Sequence, residues 1–192
     1  MAGLLYTIAL ILVLSGALKV VSPDSAADAL TMVLSPLGVR VPDFGVRALG
    51  AAEMGLGVVG LVVGGSLVAL GIAGSYLGFA AVAEILRRQT DAVSSCGCFG
   101  RNDTPPSVIH TAVNLVAAAI GFAAVVWPAD DVSTVLADQP ATGVPFVVLV
   151  LLGTYLFFLA FTALPKVFAP PAVEVASFSV QAPLASEEGT PS

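Results

Sequence analysis

Charged side chains are scarce in this chain of 192 residues, of which only 10% are Asp, Glu, Lys or Arg. Soluble domains carry roughly 25% charged residues, so an ordinary water-exposed surface is excluded. With seven Lys and Arg residues and a formal net charge of −6, the chain lacks the basic surface that a nucleic-acid partner requires. Its two cysteines are too few for a secreted scaffold built on disulfides.

Apolar sequence is abundant instead. Hydrophobic residues make up 57% of the chain, and the mean hydropathy is +0.99. This content is far too high for a long disordered protein. It predicts an integral membrane protein whose main partner is the lipid bilayer of the cell membrane.

Five apolar segments meet the length of about 20 residues that a membrane-spanning helix needs. The stretch from Leu49 to Leu86 is too long for one span, and the Gly64–Gly65 pair is its natural break. The sequence therefore predicts an all-α polytopic transmembrane bundle, with a four-helix core and about five spanning helices. The predicted spans are residues 3–21, 47–63, 67–86, 108–127 and 144–164.

Two further expectations concern the ends of the chain. The first span could be a cleaved signal peptide, but its length, the lack of a preceding Lys or Arg and the lack of a clean cleavage site favour a retained helix. Residues 1–166 are expected to form the transmembrane domain. Residues 167–192, which are acidic and rich in Pro and Ser, are expected to form a flexible tail.

The positions of the basic residues predict the orientation in the membrane. All of them flank the first loop, the third loop or the end of helix five, and none lies in the second or fourth loop. The N-terminus is therefore expected outside the cell, with the first and third loops in the cytoplasm. The basic residues are Lys19, Arg40, Arg47, Arg87, Arg88, Arg101 and Lys166.

The third loop contains both cysteines, separated by one residue. Its sequence is Cys96-Gly97-Cys98-Phe99-Gly100-Arg101. A disulfide at this spacing closes a small, strained ring, which Gly97 accommodates, and a strained disulfide behaves as a labile or catalytic couple. Helix four is expected to start at Pro105 or Pro106, with Thr104 as its cap. The positive charge of Arg101 and the N-terminus of this helix would favour the thiolate form of the two cysteines. Cys98 is the preferred nucleophile because it is nearer to both.

Three other interpretations of the cysteine pair stay open. A structural disulfide would contribute little, because bridging residues two apart removes almost no loop entropy. A metal site would have to combine Cys96 and Cys98 with Asp103 and His110, which is not a recognised zinc spacing, so no metal is expected. Two inert loop thiols would leave the Gly97 spacing unexplained.

Four polar residues inside the predicted helices are candidates for thiolate or proton handling. Glu53 shares a helix face with Gly57, Gly60 and Gly64, and it serves either as a proton acceptor or as the partner of Lys19 in a buried ion pair. His110 and Asn114 are stacked four residues apart on helix four. The histidine could shuttle protons for thiol chemistry, or the two could simply hydrogen-bond within the bundle.

These features resemble the MauE family of methylamine utilisation proteins, within the wider DoxX-like group. The resemblance covers roughly residues 1–127 and implies a membrane redox protein. The resemblance further implies a role, together with a thioredoxin-like partner, in maturation of the disulfide-rich small subunit of methylamine dehydrogenase. The matching residues are Ser15–Lys19, Glu53, Gly55, Gly57, Cys96–Gly100 and Asn114.

The function expected is thiol–disulfide exchange through Cys96 and Cys98 with a thioredoxin-like protein, in support of client disulfide maturation. With one cysteine pair and no second relay pair, either exposure of the pair to both faces or a quinone acceptor would be required. No other cofactor is identified. The rival hypothesis is a non-catalytic scaffold that assembles other membrane or redox proteins through its glycine-rich surfaces. A homo-oligomer or a redox complex is the further partner expected.

Overall fold

The computed structural model describes residues 2–89, 107–128, 132–138 and 143–164, and all regular structure in these ranges is helical. Five helices are long and apolar enough to cross a membrane. The helices are α1 (Ala2–Val21), α2 (Asp24–Leu34), a 3-10 turn (Ser35–Leu37), α3 (Asp43–Val62), α4 (Ser66–Arg88), α5 (Val108–Val126), α6 (Val132–Asp138) and α7 (Gly143–Thr162).

The predicted fold class and the five predicted spans are confirmed. The helix bounds differ from the expected ones by a few residues, most at α3, which begins at Asp43 instead of Arg47. The break between the second and third spans falls at the predicted glycine pair. Gly64 and Gly65 have φ angles of 65° and 90°, values that glycine adopts without the penalty a Cβ imposes.

Helix α1 lies at the centre of the bundle, and its closest neighbour is α3. In its most apolar window, 56% of the residues are buried, against 11% for α7. A Cβ on Gly16 would lie 2.7 Å from the backbone nitrogen of Met54, and a Cβ on Gly57 would lie 2.7 Å from the carbonyl oxygen of Ala9. Small residues therefore let the two backbones touch, as is usual between helices in lipid.

Helices α4 and α5 form the second closely packed pair. A Cβ on Gly121 would lie 2.9 Å from the Cβ of Ala73. The Tyr76 hydroxyl donates a hydrogen bond of 2.6 Å to the carbonyl oxygen of Ile8 on α1. This bond ties the two helix pairs together around a core of buried apolar side chains. Helix α7 packs on the outside of this four-helix core.

Two details were not anticipated correctly. Helix α5 does not begin at Pro105 or Pro106, because Ser107 has an extended backbone (φ −135°, ψ 165°) and the helix starts at Val108. The first loop contains α2, an amphipathic helix too short to span a bilayer. It buries Ala26, Ala27 and Ala29 against the rest of the protein. The proposed tail, residues 167–192, lies outside the described residues.

Candidate functional site

A buried ion pair joins α1 to α3 in the core of the bundle. The ammonium nitrogen of Lys19 lies 2.8 Å from Oε2 of Glu53. The two residues are only 5% and 4% exposed. Because Glu53 lies at the middle of the 20-residue helix α3, both charges are held far from bulk water, where an unpaired charge is expensive.

The backbone of α1 explains how the lysine reaches this depth. A Cβ on Gly50 would lie 2.8 Å from the Cβ of Lys19. The backbone of Lys19 therefore lies at the level of Gly50, which is about one helical turn before Glu53 on α3. Side chains on a helix lean toward its N-terminus, which in α1 is the direction of Ser15. The Lys19 ammonium donates a hydrogen bond of 2.8 Å to Ser15 Oγ. It therefore points into the bundle, whereas lysines near a helix end usually extend toward the water interface.

The ion pair forms part of the wall of a cavity. The cavity has a volume of about 250 Å³ and lies between α2, α3 and α4. The Phe79 ring lines it and sits 4.5 Å (centroid) from the Lys19 nitrogen, a cation–π distance. Its lining residues are Lys19, Ala26, Ala29, Leu30, Leu49, Glu53, Ser75, Gly78, Phe79 and Val82.

His110 and Asn114 form a second buried polar group, each 1% exposed. The side-chain nitrogen of Asn114 donates a hydrogen bond of 2.8 Å to the His110 carbonyl oxygen. Nδ1 of His110 lies 2.9 Å from Ser107 Oγ, and the ring lies 5.6 Å from that of Phe161 on α7. The histidine is therefore fixed in the first turn of α5, between α5 and α7.

A cluster of charged residues marks the end of α4. Glu84 accepts hydrogen bonds of 2.9 and 2.7 Å from Arg87 and one of 2.7 Å from Arg88. The Thr111 hydroxyl of α5 lies 3.4 Å from Oε2 of Glu84. These contacts join the end of α4 to the start of α5, the helices that precede and follow the third loop in the sequence.

The structure brings the predicted site residues together in two separate groups. Lys19 and Glu53 are held between α1 and α3, whereas His110 and Asn114 lie on α5 against α7. The remaining predicted site residues lie outside the described part of the chain: Cys96, Gly97, Cys98, Phe99, Gly100 and Arg101. Within the described ranges, no group of three or more His, Cys, Asp or Glu side chains is arranged to hold a metal ion.

Ser15 and Phe79 were not predicted from the sequence as partners of the ion pair. Helix α2 was not predicted to line a cavity. Ser15 lies four residues before Lys19, a spacing that places both on one helix face. Its sequence signal was therefore present. Phe79 belongs to α4 and carries no such signal, because its contact with Lys19 depends on how distant segments pack.

Comparison with protein-family models matches residues 1–128 to the family described as methylamine utilisation protein MauE. The matched segment contains α1 to α5 and the loop with both cysteines, and it ends before α6 and α7. No curated protein matches the chain, and neither does a solved structure.

Proposed function

The chain belongs to the MauE family, and from this premise we propose that it is a membrane thiol–disulfide redox protein. In this proposal Cys96 and Cys98 exchange electrons with a thioredoxin-like partner and thereby support disulfide maturation of client proteins. The family's description as a methylamine utilisation protein associates it with methylamine metabolism. The client by family resemblance is the small subunit of methylamine dehydrogenase.

One observation carries the proposal: the two cysteines of the whole chain stand one residue apart, inside the segment that matches the family. Two thiols so close can form a strained disulfide within one loop, because Gly97 between them adopts backbone angles that a residue with a Cβ would not tolerate. A strained disulfide has a high reduction potential and exchanges readily with other thiols. This favours a redox role over a structural one, since so short a ring adds little stability.

The exchange conserves electrons and atoms. The Cys98 thiolate attacks a sulfur of the partner's disulfide, and a mixed disulfide forms while the partner's other sulfur leaves as a thiolate. Cys96 then attacks Cys98, and the partner leaves as a dithiol. In this direction the pair loses two electrons, which the partner gains. The exchange is reversible: in the opposite direction the partner's dithiol reduces the Cys96–Cys98 disulfide and the partner leaves as a disulfide, the form that oxidises client thiols. His110, in the first turn of the helix that follows the loop, is proposed to handle the protons released by the thiols.

Trapping the intermediate tests this function. In a Cys96→Ser variant the resolving thiol is absent, so the mixed disulfide with the partner should accumulate as a covalent adduct that a reductant removes. The Cys96→Ser/Cys98→Ser double variant is the control and should give no adduct. A non-catalytic scaffold would keep its full cellular phenotype in the double variant, and that outcome would overturn the redox proposal.

The orientation of the pair belongs to the same proposal. The distribution of basic residues puts the third loop in the cytoplasm, whereas the clients of the family mature outside it. After reduction of the pair, labelling of Cys96 and Cys98 with a membrane-impermeant maleimide, before and after cell lysis, shows on which side of the membrane the third loop is exposed. Labelling only after lysis supports the cytoplasmic assignment, and labelling of intact cells contradicts it.

A further inference from the structure

We propose that the cavity between α2, α3 and α4 binds the head group of a lipid-soluble quinone, with Lys19 and Glu53 as its polar contacts. The inference rests on the proposed function in one respect, that the cysteine pair needs a two-electron partner in the membrane. The location and chemistry of the site follow from the cavity and its lining residues.

The cavity opens at a depth where the surroundings are lipid. Two of its lining residues, Leu49 and Gly78, are exposed, so it reaches the surface of the bundle between α3 and α4. Gly78 lies near the middle of α4, which runs from Ser66 to Arg88. A ligand entering there must come from the hydrocarbon region of the bilayer, and it must therefore be soluble in lipid.

The ion pair makes the cavity selective for a neutral polar head. Among the described residues, the hydrogen bonds of Glu53 engage only Oε2, so Oε1 is left as an acceptor for a ligand hydroxyl. The Lys19 ammonium has three N–H donors, and Ser15 and Glu53 accept two of them. Because the two charges neutralise each other, neither an anionic nor a cationic head gains a net Coulombic attraction.

A quinone fits this combination of features. Its carbonyl oxygens accept hydrogen bonds, its reduced form donates them from hydroxyl groups, and its flat ring packs against apolar side chains and Phe79. The volume of about 250 Å³ is below the roughly 300–1,000 Å³ of pockets for drug-sized ligands. It suits a single ring whose isoprenoid tail remains in the bilayer.

A quinone can accept all the electrons and protons that are released when the two thiols form a disulfide. When the Cys96 and Cys98 thiols form a disulfide, the S–S bond forms, two S–H bonds break, and two electrons and two protons are released. A quinone that takes up both electrons and both protons becomes a quinol. The quinone is thus the oxidant that regenerates the Cys96–Cys98 disulfide after the dithiol of the thioredoxin-like partner has reduced it.

A cavity-filling variant tests the site. The probe is decylubiquinone, and its dissociation constant is measured by equilibrium dialysis with the full chain in nanodiscs. Apart from the chain neighbours and the helix's own backbone, no atom of the described residues lies within 4 Å of a Cβ added to Gly78 or to Gly74. Of these two glycines, Gly78 lines the cavity and Gly74 does not. Gly78→Phe should weaken binding at least tenfold, whereas Gly74→Phe, one turn away on the same helix, should leave it unchanged.

A second variant tests the polar contacts. The Lys19→Met/Glu53→Leu double variant removes the ion pair without leaving an unpaired charge, so the fold should persist, and it too should bind decylubiquinone at least tenfold more weakly. Equal binding by Gly78→Phe and the parent would overturn the proposal. So would displacement of decylubiquinone by an equal concentration of 1-decanol, which would show that the cavity accepts alkyl chains.

The site and the proposed function can fail separately. Binding is measured in the parent and in the Cys96→Ser/Cys98→Ser variant, and the two should agree because the thiols take no part in holding the ring. Quinone binding without any thiol exchange would leave the site in place and refute the redox function. Thiol exchange with no quinone binding would refute the site alone.

Discussion

Removing one partner of the Lys19–Glu53 ion pair is expected to destabilise the protein far more than removing both. At 2.8 Å and an effective dielectric constant of about 20, the attraction between the charges is roughly 6 kcal/mol. The loss of hydration on burial offsets most of it. Removing one partner of such a buried pair lowers the free energy of unfolding by about 3–5 kcal/mol, whereas replacing both partners by apolar residues often leaves it unchanged.

A double-mutant cycle measures this difference. The free energy of unfolding is measured in mixed detergent and SDS micelles for Lys19→Met, for Glu53→Leu and for the two together. Each single variant should lose about 3 kcal/mol, and the double variant should lie within about 1 kcal/mol of the parent. Additive losses, or a coupling below about 1 kcal/mol, would show that the two side chains do not stabilise each other in the folded protein. The exposed Glu84–Arg87 pair is the control and should show little coupling.

Other predictions concern the packing of α1. Gly16→Ala should lower the free energy of unfolding by about 2 kcal/mol, since its Cβ would meet the backbone of α3. At Gly55 an added Cβ would meet no neighbouring element within 4 Å in the described part of the chain, so Gly55→Ala should leave the free energy of unfolding unchanged. An equal loss in both variants would contradict this packing. Tyr76→Phe removes a buried hydrogen bond to α1 and should cost about 1 kcal/mol in the same unfolding assay. Tyr155→Phe, on a side chain that is 58% exposed, should cost nothing, so similar losses would show that the hydrogen bond is not the cause.

Much of the fold was predictable because membrane spans are specified by composition and length. In lipid the backbone must satisfy its own hydrogen bonds, so each long apolar segment becomes a helix. The Gly64–Gly65 break was predictable as well, because two adjacent glycines suit a tight turn. Helix α2 was missed because it is shorter than a span, although Asp24 after Pro23 is typical of a helix start.

The site was predictable only in part. The sequence left open whether Glu53 accepts protons or pairs with Lys19, and the structure shows the pair. Nothing in the sequence places α2 and Phe79 on the other sides of a cavity, because that depends on how α4 packs against α1 and α3. The start of α5 was misplaced because proline is favoured in a first helical turn, while Ser107 here keeps an extended backbone.

A redox titration of Cys96 and Cys98 in the purified protein tests most directly whether the two cysteines form a reversible couple. The full chain in nanodiscs is equilibrated in glutathione buffers of graded potential, its free thiols are alkylated, and the mass increase is read by mass spectrometry. If the two cysteines form one redox couple, both thiols disappear together in one two-electron transition, with no adduct to glutathione left at the oxidised end. Two thiols that stay alkylatable at every potential, or that react independently of each other, would show that they do not form such a couple.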